Sequence, residues 1–242
     1  MPATRYKIHS KGAAVGIGVT GSIYVFVSGI GKSNGFPYLI ANELICSNLS
    51  KAILLPSPPG FIIENEGVPN FVSLDFNLTG ESLPPADCSL ITTEQPALAC
   101  GIILFDIWLL NSDRHSGNIA YYEEKKQVQI FDHSHALFGS GTTNIEEYLT
   151  PRVNEPNIGG HCLLPHLTAL DGMQEWFNRI NAVPEFFINE VVQSATTVGL
   201  PQEEVHFVSD YLLNRRSKLL DLIKNHRNIF TQVPGQEWDK LN

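Results

Sequence analysis

Positive charge is scarce in this chain of 242 residues: 16 Lys and Arg stand against 25 Asp and Glu, a formal net charge of −9. No basic run is longer than Lys125-Lys126, so direct nucleic-acid binding, which needs a cationic surface for the phosphates, is not expected. The same acidity disfavours docking on an anionic membrane. Long apolar runs are also missing. The longest, Cys100 to Leu110, is interrupted by Asp106 and is too short to span a bilayer. The opening MPATRYKIHSKG lacks the apolar core of a signal peptide. Four widely spaced cysteines, Cys46, Cys88, Cys100 and Cys162, form no CxxC pair, which argues against a structural zinc site. A cytoplasmic protein with reduced thiols is the expectation.

What is present is an ordinary globular balance, 43% hydrophobic and 17% charged, with no repeat and no low-complexity segment. Ser22 to Val27 reads as a strand, and the glycines of Gly29 to Gly35 read as a turn. Pro37 opens a helix whose apolar residues Leu39, Ile40, Leu44, Ile45 and Leu49 recur at helical spacing. GFIIENEG and PNFVSLDF read as a hairpin turning near Glu66-Gly67. Gly80 to Ser89 is irregular and rich in proline. Thr92 or Thr93 is expected to cap one long, buried helix running to about Leu110. IAYYEE and KKQVQIFD form a second hairpin turning at Glu124 to Lys126. Three amphipathic helical stretches follow, over 172–182, 184–198 and 201–225. The order predicts an α+β fold in two lobes, a strand-rich N-lobe over 1–85 and a helical C-lobe over 86–242.

The polar loop NSDRHSGN, residues 111–118, carries the chemistry. Phosphoryl transfer needs a carboxylate near the accepting hydroxyl and ligands for the magnesium that offsets the triphosphate charge. Asp113 and Asn118, five residues apart on one loop, can do two of these jobs. Asp132, where the following hairpin ends, can supply a further metal ligand. Buried helix, D-x-x-x-x-N loop, hairpin and Asp in that order are far more specific than the spacing alone. A plain structural alternative makes Asp113 and Arg114 a loop ion pair, Asn118 a turn residue and Asp132 a strand cap.

FDIWLLNSDRHSGNIAYY and QIFDHSHALFG resemble the HipA-like serine/threonine kinases, and the loop is shared with the broader phosphatidylinositol-kinase-like folds. The strong likeness covers roughly 105–138; a weaker one reaches back through YVFV and NELICSNLSKAILLPSPPGFII. The resemblance implies a two-lobed protein-kinase-like fold, with ATP and Mg²⁺ as cofactors and a Ser/Thr of a protein as acceptor. Asp113 would then be the catalytic base, Asn118 and Asp132 would hold magnesium, and Arg114 and His115 would brace the loop. Glu43 would pair with an ATP-binding lysine, Ser10, Lys11 and Gly12 would lie in a phosphate-facing turn over 10–14, and adenine would meet a hinge over 71–77. Some members of the family act as toxins against translation, so an antitoxin or regulatory partner is implied.

One position departs from that pattern. The family usually places a lysine at the end of its second strand, and YVFVS puts Val27 there. A valine cannot offset phosphate charge, so a pseudokinase acting as a nucleotide- or partner-binding module is the main alternative. Lys32 and Lys11 are candidates to reach in from the glycine turns, against a plain reading of each as a solvated loop lysine. A lipid or small-molecule kinase is a third reading. Gly16 to Gly21 fits G-x-G-x-x-G but precedes a strand instead of a helix, and Gly29 to Ser33 is no Walker loop, because Phe26 stands where its first glycine is needed. His133 and His135, with His161 and His166, raise a minor histidine–carboxylate metal alternative.

Overall fold

The computed structural model describes residues 8–15, 22–33, 35–77 and 85–241. The strand-rich part holds β1 (Ile8–Ala14), β2 (Ile23–Val27), β3 (Gly29–Lys32), α1 (Leu39–Ala52), β4 (Gly60–Asn65) and β5 (Val68–Leu74). β1 and β2 pair antiparallel as a separate ribbon, and β3, β5 and β4 form a three-stranded antiparallel sheet in that order.

The predicted glycine turn over 29–35 is corrected here. Gly29 to Lys32 is a strand, with Gly29 opposite Leu74 and Lys32 opposite Phe71. Glycine suits that strand because a Cβ on Gly29 would stand 2.6 Å from the Val72 side chain; close backbone approach is a common reason for glycine in a sheet. The β4–β5 hairpin turns as expected, through Glu66 and Gly67, both at positive φ, the geometry of a tight two-residue turn.

α1 is buried on almost every side. Ile40, Ala41, Ile45 and Leu49 fill the core, and Asn42, Glu43, Ser47 and Ser50 are buried with them. The helix packs on β4 and β5 on one side and on the helical part of the chain on the other. A buried polar face is costly unless its groups are bonded, so Asn42 and Glu43 point to the functional site.

The helical remainder begins with α2 (Cys88–Glu94) and α3 (Pro96–Trp108). The single long helix expected here is in fact two, bent by 117°. Asp87, not Thr92 or Thr93, is the cap, accepting from the main-chain nitrogens of Ser89 and Leu90. Pro96 starts the second helix at a position where its missing N–H costs nothing. α3 is the hub of the core, from Leu98 to Trp108 entirely buried. Gly101 lets the Trp176 indole lie where a Cβ would stand, and the Trp108 ring nitrogen donates to Leu212 O at 3.0 Å. No single helix among the described residues is long and apolar enough to cross a membrane.

The hairpin β6 (Ile119–Tyr122) and β7 (Gln127–Ile130) follows, with α4 (Ile145–Leu149), α5 (Met173–Asn181), α6 (Glu185–Ser194), α7 (Val205–Ser217) and α8 (Leu219–Asn225). Trp176 and Tyr211 are buried as the apolar pattern predicts, but Phe186 is 69% exposed.

Candidate active site

β3 and α1 meet the segments around Gly117 and Asp132 of the helical part at one cleft. Lys32, the last residue of β3, places Nζ 2.6 Å from Glu43 Oε1 on α1. The same ammonium contacts the Asp132 carboxylate. Lys32, not Val27, is therefore the lysine opposite Glu43. Val27 lies in the β1–β2 ribbon, paired with Ile8 and 43% exposed. Expecting a turn at the glycines had displaced the register by five residues.

Glu43 is held from both sides: its Oε1 also accepts from the His133 main-chain nitrogen at 3.1 Å. Burial pushes its carboxyl above the usual range, and the Lys32 ammonium works against that rise. Asn42, one residue earlier, donates to Ser134 O at 2.7 Å and accepts from Phe138 N at 3.2 Å. α1 thus fixes the segment after Asp132 through two adjacent side chains.

Asp132 has a positive φ of 57°, a conformation that needs support for a non-glycine residue. Ser134 provides it, through Oγ at 2.7 Å from Asp132 Oδ1. Burial favours the protonated carboxyl, but the Lys32 ammonium and the Ser134 hydroxyl outweigh it and hold the pKa at about 2. Asp132 is therefore an anion at neutral pH.

In the 111–118 loop, Asn118 Nδ2 donates to Asp113 O at 2.9 Å. That bond orients the amide and leaves Oδ1 as its acceptor atom. Asp113 is half-buried, and its main chain is tied at both faces, N to Asn111 Oδ1 at 3.3 Å and O to His115 N at 2.9 Å. Among the described residues no hydrogen bond or ion pair engages its carboxylate. His115 is exposed and supports only its own turn, its Nδ1 accepting from Gly117 N at 3.0 Å.

Arg114 is the true brace of the loop. Fully buried, it grips Asp106 through Nε at 2.8 Å and a second guanidinium nitrogen at 3.0 Å. Its remaining nitrogen donates to Asn118 O at 2.9 Å and to Phe131 O at 2.8 Å. One guanidinium therefore ties the 111–118 loop to the residue before Asp132. Burial alone would raise the Asp106 carboxyl, but Arg114 and His161 hold it well below the usual range.

The cleft between these elements is a cavity of about 460 Å³, lined among others by Ile30, Lys32, Glu43, Asp75, Phe76 and Asp132. Asp75, Phe76 and Asn77, within the expected hinge, form part of its wall. Phe76 packs on Phe131 with ring centroids 5.5 Å apart. Ser10, Lys11 and Gly12 are not in it. They belong to β1, an extended strand in place of the expected phosphate-facing turn, with Ser10 opposite Phe26 and Lys11 opposite Val25. The Gly16 to Gly21 motif lies outside the described residues.

Among the described residues no group of three or more His, Cys, Asp or Glu is placed to hold a metal ion. The histidine-based alternative falls with that: His133 is buried beside Glu43, His135 packs on Phe36 and His166 is exposed. Asp132 lines the cleft, and the buried Asn118 follows Gly117 of its wall; a carboxylate and an amide oxygen are the kind of donors that a magnesium ion takes alongside phosphate oxygens.

No protein-family model matches the sequence, and no curated protein matches it. Among solved structures, the Helicobacter pylori proinflammatory kinase CtkA aligns with 95% of this chain and 96% of its own, at 17% identity and a TM-score of 0.61. The chain shares the kinase-like fold of that protein. The HipA of Shewanella oneidensis MR-1, solved with HipB and operator DNA as a toxin–antitoxin system, aligns with 87% of this chain and 64% of its own, at 13% identity and a TM-score of 0.49.

Within this kinase-like fold, three side chains take roles that the sequence did not assign to them. Asp106 showed only as a break in an apolar run; a lone acid in an otherwise apolar helix needs a buried partner, and that was the available signal. Asn42 gave no signal and His161 entered only through the histidine–carboxylate alternative, because their partners lie 92 and 55 residues away.

Proposed function

We propose that this chain is an ATP- and magnesium-dependent kinase that phosphorylates a serine or threonine of a protein substrate. The observation that carries the reading is Lys32 bonded to Glu43 and Asp132, because it supplies the phosphate-binding half of the site. The pseudokinase alternative rested on Val27, which lies outside the cleft, and so loses its support.

In this reading residues 1–85 and 86–242 are the two lobes, and adenine lies against Asp75 to Asn77. Lys32 Nζ, held by one bond to Glu43, turns its remaining donors to the phosphates. Asn118 Oδ1 and the Asp132 carboxylate hold magnesium. Bound there, the ion would offset the charge of the phosphates. Asp113 accepts the proton of the incoming hydroxyl, and Arg114 keeps Asn118 and Asp132 at a fixed separation. An antitoxin or other regulatory partner is carried only by the likeness of the catalytic loop to the HipA-like kinases.

The test is intact-mass measurement after incubation with Mg-ATP, with D113A in parallel. Added phosphate on the parent and none on D113A supports the kinase. A parent whose melting temperature rises with Mg-ATP but that gains no phosphate, alone or with a mixed protein acceptor, would overturn it.

A further inference from the structure

His161 sits 55 residues beyond Asp106 in sequence and touches neither the cleft nor Asp113, yet its ring closes a chain that ends on Asn118 and on the residue before Asp132. Leu163 N donates to His161 Nδ1 at 3.2 Å. An Nδ1 that accepts carries no proton, so the ring proton is on Nε2. Nε2 lies 3.1 Å from Asp106 Oδ2 and is its donor. Each oxygen of Asp106 then takes two bonds, Oδ1 from Asn111 at 2.8 Å and Arg114, Oδ2 from Arg114 and His161. Arg114 in turn donates to Asn118 O and Phe131 O. Each of these side chains is at most 1% exposed, so water cannot replace a lost partner.

The main chain repeats the connection. Cys162 N donates to Arg114 O at 2.9 Å, and Asn157 Nδ2 donates to Leu110 O at 3.2 Å. The 157–163 segment therefore holds the 111–118 loop just before its start and at its middle. Asn157 to Cys162 also line a cavity of about 780 Å³.

We propose that His161 is a positioning residue for the metal ligands Asn118 and Asp132, acting through Asp106 and Arg114. The inference rests on the kinase reading of the site. A carboxylate with four donors has one orientation; remove the His161 donor and Oδ2 keeps only Arg114, so Asp106 can rotate about its remaining bonds to Arg114 and Asn111. The guanidinium then shifts with it, and the Asn118 and Phe131 carbonyls lose a fixed anchor. Partners one layer beyond metal ligands act in this way on affinity.

Two variants separate the ring's two bonds. H161N keeps an acceptor for Leu163 N and drops the bond to Asp106, whereas H161Q keeps a donor for Asp106 and drops the acceptor. The probe is Mn²⁺ with the non-hydrolysable ATP analogue AMP-PNP, with bound metal read by electron paramagnetic resonance. Urea titration of each variant identifies conditions in which both are folded. Parent and H161Q should bind the metal alike, and H161N about tenfold more weakly, the lower end of such effects. A merely structural histidine would change the urea midpoints and leave the metal dissociation constants equal, and that result overturns the inference. So does equal weakening in both variants. A parent that binds no Mn²⁺ with AMP-PNP overturns the kinase reading itself, and the inference falls with it.

Discussion

Lys32 Nζ lies 2.6 Å from Glu43 Oε1 and also contacts Asp132, so one ammonium joins β3, α1 and the metal-ligand segment. Its side chain is 25% exposed, against 3% for Glu43. The lysine can therefore turn toward a ligand in the cleft, while the glutamate stays where the His133 main-chain nitrogen holds it.

K32M should lower kcat/KM for ATP by about a hundred- to a thousandfold, the cost of losing one charge-stabilising donor in a desolvated site. V27A should leave it at the parental value, because Val27 belongs to the β1–β2 ribbon and not to the cleft wall. Steady-state kinetics on the two variants distinguishes the position read from sequence from the position found in the structure.

Asp113 and Asp132 should fail in different ways. D113N leaves the metal ligands intact, so Mg-nucleotide affinity should remain while phosphate transfer drops about a hundred- to ten-thousandfold, the usual span for a lost general base. D132N removes an anionic ligand whose carboxyl is held at about 2. It should lose magnesium-dependent nucleotide binding as well as transfer. Calorimetric titration with Mg-AMP-PNP beside transfer assays separates the two effects.

Arg114 should matter most for stability. Its guanidinium is fully buried and satisfies Asp106, Asn118 O and Phe131 O together. R114M leaves the Asp106 charge buried with one donor from His161 and one from Asn111. Breaking such a pair from one side costs about 3–5 kcal/mol. Urea unfolding should show that loss, and the doubly altered R114M/D106L should recover part of it.

The parts of this site that were legible in the sequence are those set by local spacing. Asp113 and Asn118 share one loop, and Asp132 ends the hairpin that follows, so chain order alone places them near each other. The hairpin turns were legible because Glu66-Gly67 and Lys126 take left-handed backbone. Lys32 was legible only as one candidate reaching in from a turn, because what makes Gly29 to Lys32 a strand is pairing with Val72 and its neighbours some forty residues on; locally, three glycines in seven residues favour a turn. The break at Gln95-Pro96 was missed for a related reason. Thr92 and Thr93 look like caps in sequence, but their hydroxyls bond back to Cys88 O and Ser89 O inside α2. The α+β order and the helical remainder survived these errors because they rest on summed periodicity over long segments.

His133 should make stability depend on pH between neutrality and acid. Its ring is buried, with Nε2 lacking a partner and Phe105 edge-on at 5.9 Å. Burial, reinforced by the nearby Arg114 charge, depresses its pKa to about 3. The unfolded chain binds the proton near the ordinary value of about 6.5. Between those limits the unfolded state holds more protons than the folded one, so stability rises with pH across the window and falls as acid is added. The slope is roughly 1.4 kcal/mol per pH unit per proton, which gives about 2 kcal/mol between neutrality and pH of about 5. H133F keeps the ring shape against Phe105 and removes both the titration and the unpaired nitrogen. Its midpoint in urea should exceed the parent's at neutral pH, and the margin should widen by about that amount at pH of about 5. The remaining acids titrate in both proteins, so the difference isolates His133. A margin that stays constant between the two pH values would mean that the ring finds a way to carry its proton inside the fold.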